Sequence, residues 1–160
     1  MFSVYFFEYS IIGCFADRIG NKVAAKYPER ADEFGIKEYY VILNNCYQIG
    51  VFISRSSLQF FKIRRVYILS IFQCINFVFL FLNTQFLFVD SLYVLCPLLI
   101  WVGFMGGASY VNVMHSLLEH KTLKKNEKEA ALALSLMFND SGVLLSAIFS
   151  LVMDNTLFKS

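Results

Sequence analysis

Two carboxylic acids sit inside long apolar stretches of this chain, Glu8 and Asp140, and no other acid does so. An ionisable group in hydrocarbon is costly. It faces a water-filled cavity, finds a partner on a neighbouring helix, or carries a proton. A carboxyl group in a poorly solvated cavity holds its proton more tightly than usual, which is the chemistry that couples solute movement to proton uptake. The alternative for each acid is a structural hydrogen bond between helices. A second pattern lies at helical spacing: Tyr40, Asn44 and Gln48 share one face, and Arg55 lines up with them if the helix continues one more turn. Polar groups stepping toward a cation either make a route for an anionic or zwitterionic solute, or form a polar helix contact with Arg55 at the membrane surface.

A third pattern is a stripe of small and polar residues, Ser135, Asn139, Gly142, Ser146 and Ser150, with Asp140 about a quarter turn to one side. Such a stripe is a packing seam or a cavity wall. Gln73 and Asn76 have the character of interhelical hydrogen-bond formers. Gly103 and Gly107 stand in a GxxxG relation near Gly106, which favours a tight intramolecular contact. His115 ends an apolar run beside a basic connector and reads as a solvated interfacial residue. The four cysteines, Cys14, Cys46, Cys74 and Cys96, have no CxxC pairing and read as packing residues. No metal-ligand spacing, catalytic triad, phosphate-cradling glycine loop or paired-carboxylate arrangement is present. The sequence therefore suggests neither an enzyme nor a bound cofactor.

The elements that position these residues must live in lipid. Hydrophobic residues make up 58% of the chain, aromatic residues 18% and charged residues only 16%, with eighteen Phe and nine Tyr. A soluble domain this small would expose much of that apolar surface. A spanning helix needs around 20 mostly apolar residues, and five segments approach this: about 1–15, 39–53, 66–82, 91–114 and 130–153. Together they predict an all-α membrane protein formed as a single transmembrane helical bundle. The first segment looks short, as though cut upstream, and it lacks the basic start and uninterrupted core of a signal peptide. All fourteen Lys and Arg residues fall outside the five spans.

Arg55, Lys62, Arg64 and Arg65 cluster after the second span, and Lys121, Lys124, Lys125 and Lys128 before the fifth. The positive-inside tendency places both connectors in the cytoplasm. The connector Asp17–Glu38 carries five basic and five acidic residues and fits the opposite side, as does the short link Asn83–Asp90. No polybasic arm suggests nucleic acid, and the C-terminal Phe158-Lys159-Ser160 carries no prenylation motif.

Four strings then resemble the battenin family of lysosomal or vacuolar membrane proteins: Val4-Tyr5-Phe6-Phe7-Glu8-Tyr9, the run Tyr47 to Leu58, Gly106 to Asn112, and Asp140-Ser141-Gly142. Gln73-Cys74-Ile75-Asn76 fits as well, and the order and spacing are similar to the C-terminal half of a battenin. The resemblance implies the C-terminal bundle of a major-facilitator-like fold, lacking an N-terminal bundle that a partner chain or a longer gene would supply. It implies roles in lysosomal pH balance and in export of a small polar or charged solute, such as a basic amino acid or glycerophosphodiester. Carried over position by position, it marks Glu8, Gln48, Arg55, Asn112 and Asp140 as solute or proton pathway residues, with Gln73 structural. The competing expectation is a non-transporting scaffold whose basic cytoplasmic connectors recruit trafficking partners or anionic lipid.

Overall fold

The computed structural model describes residues 1–30, 34–56, 63, 65–120 and 124–157. The expectations placed on Lys62, Arg64, Lys121, Ser57, Leu58 and the tail from Phe158 lie outside the described residues. Within them the structure is helical, with no strand. A continuous rod opens the chain: α1 (Phe2–Ser10) leads through a π-helical turn (Ile11–Ala16) into α2 (Asp17–Lys26). A 3-10 turn (Pro28–Arg30) and the short α3 (Phe34–Lys37) follow, and then α4 (Tyr39–Ser56), α5 (Tyr67–Phe86), α6 (Leu92–Glu119) and α7 (Lys125–Thr156).

The expected connector from Asp17 to Glu38 is helical in its first half, so the backbone helix continues beyond the expected end of the first span. The reason is amphipathic spacing. Ile19, Gly20 and Val23 are buried on one face of α2 while Asp17, Asn21 and Lys26 face outward. Arg18, Lys22 and Lys26 recur every four residues, and each engages a different element. The Arg18 guanidinium pairs with Asp154 of α7 at 2.8 Å. Lys22 Nζ donates to the Thr84 and Gln85 carbonyls at 2.6 and 3.1 Å, where the open C-terminus of α5 favours a cation. Lys26 Nζ reaches Asp90 Oδ2 in the α5–α6 link at 2.6 Å. That link is closed by Asn83, whose side chain donates to the Val89 carbonyl at 2.9 Å and accepts from its N–H at 2.8 Å.

Helix direction follows from paired contacts. Ser3 meets Ser70 at 3.3 Å, the Phe7 and Phe77 rings lie 5.1 Å apart, and Phe15 and Phe81 lie 5.7 Å apart. The rod and α5 therefore run parallel. The rod and α7 do too, since Ser135 meets Met1 Sδ at 2.9 Å at one end and Arg18 meets Asp154 at the other. In the opposite sense, α4 and α6 run parallel to each other: the Tyr39 hydroxyl donates to the Asp90 carbonyl at 2.8 Å, and Arg55 stacks 5.0 Å above the Tyr110 ring. The rod, α4, α5, α6 and α7 thus alternate in direction along the chain.

The core is aromatic between the rod, α5 and α7, where Phe77 sits among Phe6, Phe7, Phe15, Phe81 and Phe149. Between α4 and α6 it is glycine-based. A side chain at Gly103 would strike the Tyr47 backbone and one at Gly107 the Ser54 hydroxyl, so the GxxxG pair forms a tight intramolecular contact, as expected. The small-residue stripe of α7 is a packing seam against α1: a Cβ on Gly142 would lie 2.6 Å from the Phe2 carbonyl oxygen.

Three helices, α5, α6 and α7, are long and apolar enough to cross a membrane. The rod and α4 fall short of that standard. Asp17 and Arg18 interrupt the rod, and α4 spends Asn44, Asn45, Gln48 and Arg55 within eighteen residues.

Candidate functional site

Glu8 lies at mid-depth, because its neighbours Tyr47 and Gly106 stand near the middles of α4 and α6. It is 2% exposed. The Tyr47 hydroxyl donates to its Oε1 at 2.8 Å, and its carboxyl group rests on Gly106, where a Cβ would collide with it. Sequence reasoning chose Glu8 but not Tyr47. The available signal was a tyrosine inside an apolar helix, since a buried phenol seeks a partner for its hydroxyl.

Gln48, Arg55 and Asp140 are exposed on the helix surfaces. Arg55 stacks on Tyr110, a second residue that sequence reasoning did not select. Asp140 stands at the middle of α7, beside buried Asn139 and Gly142. Tyr9, 41% exposed, lies within electrostatic reach of Glu8, Arg55 and Asp140. Among the described residues, no hydrogen bond or ion pair joins any two of Glu8, Gln48, Arg55, Asn112 and Asp140.

Asn112 is placed apart. It is buried, its Oδ1 accepts from the Ile63 N–H at 2.7 Å and its Nδ2 donates to the Ala108 carbonyl at 2.8 Å. Its Oδ1 holds Ile63, inside the first basic connector, and its Nδ2 is spent on the backbone of α6 itself. Gln73 is fully buried, donating to the Val102 carbonyl at 3.5 Å and accepting from Asn76 at 3.3 Å. It is an interhelical tie between α5 and α6, as expected. Among the described residues, Ser109 Oγ on α6, Asn139 Oδ1 on α7 and Gln85 Nε2 on α5 are buried without a hydrogen-bond partner. No group of three or more metal-ligating side chains occurs among the described residues.

The exposed surface is divided by chemistry. On α5 it consists of Ile71, Phe72, Ile75, Val78, Phe79 and Leu82. On the rod, α4 and α7 it includes Tyr9, Asn45, Gln48 and Asp140 in the middles of the helices. Lipid satisfies the first surface and cannot satisfy the second.

These helices make the chain an all-helical, multi-pass membrane protein. A family model described as CLN3 protein matches residues 1–160, and the chain belongs to that family, the battenins. It is 40% identical over 158 residues to a battenin of Dictyostelium discoideum, covering 98% of this chain and 36% of that protein. It is 33% identical over 157 residues to the protein btn1 of Schizosaccharomyces pombe, covering 98% of this chain and 37% of that one. A battenin of Canis lupus familiaris is 35% identical over 105 residues, 66% of this chain and 24% of the dog protein. The chain thus spans little more than a third of the Dictyostelium and fission-yeast relatives' length. No solved structure matches it.

Proposed function

We propose that this chain is the C-terminal, five-span bundle of a battenin-type transporter of the lysosomal or vacuolar membrane, with a major-facilitator-like arrangement. It exports a small polar or charged solute and contributes to lysosomal pH balance. A second helical bundle, from a longer polypeptide or a partner chain, closes the pathway. Of the two spans that fall short of the apolar standard, α4 does so through Gln48 and Arg55, which this reading places on that pathway. One observation carries this reading: Tyr9, Gln48 and Asp140 are exposed within the rod, α4 and α7, while the exposed residues from Ile71 to Leu82 of α5 are all apolar.

In this reading Arg55, braced by Tyr110 at the basic end, attracts the solute's negative charge. Asp140 and Tyr9 border the path, and Glu8 stands behind them as the buried acid that takes up a proton. Asn112 holds the basic connector in place. Two measurements on vesicles carrying the complete assembly test the proposal. Cysteines at Gln48 and Asp140 should react with a membrane-impermeant thiol reagent while one at Phe79 does not; equal protection of all three would remove the aqueous path. Glu8→Gln retains an oxygen for Tyr47 but cannot titrate, so export should lose its dependence on luminal pH, and an unchanged pH profile would exclude Glu8 from coupling.

A further inference from the structure

A cavity of about 770 Å³ opens at the non-basic end of the bundle, between the end of α2, α3 and the first turns of α4 and α6. It lies far from Glu8 and Arg55. Its walls are apolar, formed by Val23, Ile36, Ile42 and Leu92 with the rings of Tyr27 and Tyr39. The volume falls within the range of sites that enclose a small organic molecule, with few polar groups to orient it.

The polar groups at this cavity are specific. Asp90 uses Oδ2 to accept from Lys26 at 2.6 Å and from the Tyr27 hydroxyl at 3.0 Å. No side chain among the described residues reaches its other oxygen. Those two donors hold the Asp90 carboxyl below its usual range, so it is an acceptor only. Next to it Ser91 occupies the N-cap of α6 in an extended conformation, yet its hydroxyl makes no capping bond. A free hydroxyl at an N-cap that would normally bind the helix backbone is available as a donor to something else.

One acceptor beside one donor, at the edge of an apolar cavity, matches a ligand head that both donates and accepts a single hydrogen bond. A phosphate offers only acceptors to Asp90 and is repelled by it. An ammonium meets the Lys26 ammonium already seated on Asp90 at 2.6 Å, which repels a second cation. A lone hydroxyl on a rigid apolar body answers both. The cavity also sits where the spans leave the hydrocarbon, the depth of a sterol's hydroxyl. In addition, Val23, Tyr27 and Arg30 fit the loose pattern of an aliphatic residue, a tyrosine and a basic residue proposed for cholesterol contact, and two of the three line this cavity. We propose that the cavity binds a membrane sterol, its hydroxyl donating to Asp90 and accepting from Ser91. The inference rests on the membrane placement of the bundle and is independent of transport.

The test reconstitutes the full chain in phosphatidylcholine vesicles containing a photoreactive, diazirine-bearing cholesterol, with adducts mapped by mass spectrometry. Adducts should concentrate in residues 23–42 and 90–97 and be suppressed by excess cholesterol, but not by excess sphingosine or added phospholipid. Ile42→Trp, which fills the cavity, should abolish labelling there with the melting temperature preserved. Ser91→Ala, which leaves the walls intact, should lower it several-fold. Labelling spread over the outward faces of α5 and α7, labelling undiminished in a folded Ile42→Trp protein, or better competition by sphingosine or phospholipid would each overturn the proposal. Failure of the chain to remain with carbonate-washed vesicles would instead refute the membrane placement.

Discussion

The Tyr47 hydroxyl on α4 donates to Oε1 of Glu8 on α1 across 2.8 Å, and the same carboxyl group leans on Gly106 of α6. One acid therefore joins three helices at mid-depth. Removing the donor leaves a buried carboxyl group without its partner, a loss of about 1–3 kcal/mol. Tyr47→Phe should lower the melting temperature in detergent more than Tyr40→Phe, whose ring is 37% exposed. Equal melting of the two would mean that the bond contributes nothing.

Two glycines should respond in opposite ways to the same substitution. A methyl group on Gly106 strikes the Glu8 carboxyl, so Gly106→Ala should destabilise the fold and separate α1 from α6. A methyl group on Gly13 meets nothing within 4 Å. Gly13→Ala should be neutral or add about 0.5–1 kcal/mol, because alanine loses less backbone freedom in a helix. Thermal melting of the pair decides it, and a destabilised Gly13→Ala would show that the π-helical turn needs glycine itself.

Ser109 carries a buried hydroxyl that has no partner among the described residues. Its desolvation is uncompensated, so Ser109→Ala should stabilise the protein by about 1 kcal/mol. A loss of stability would reveal an unseen partner for that hydroxyl.

Asp90 sets a pH dependence whose sign is fixed. Lys26 and then Tyr27 hold its carboxyl below 3.8. A group depressed in the folded state adds stability above its unfolded value and loses it as pH falls through the folded one. The melting difference between the native chain and Asp90→Asn should therefore stay constant from neutral pH to about pH 5 and shrink only in stronger acid. The effect will be small, since the pair is partly solvated. A difference that vanished already at pH 6 would assign the dependence to another group.

Much of the fold was legible because apolar runs are long and charges are rare: α5, α6 and α7 begin and end within a few residues of where hydropathy sets them, although α7 starts earlier, at Lys125. The helical length of the first element was not legible, because a hydropathy reading stops at Asp17 whereas the helix continues wherever one face can still be buried, here through Ile19 and Val23. The α7 stripe could be found as a pattern, but only a neighbour could decide between seam and cavity wall, and that neighbour is α1. At the candidate site, acids in hydrocarbon identify themselves. Tyr47 and Tyr110 do not, because tyrosine is common here and its role depends on what stands opposite. Asn112 illustrates the reverse: its position in a recognisable string gave no hint that both its polar atoms are occupied by backbone.

Arg18, Lys22 and Lys26 reach, in turn, the tail of α7, the end of α5 and the link before α6. A single short helix thus buckles together the end of α7, the end of α5 and the link before α6 on one side of the bundle. A motion that spread those ends apart would have to break the bonds of all three cations at once.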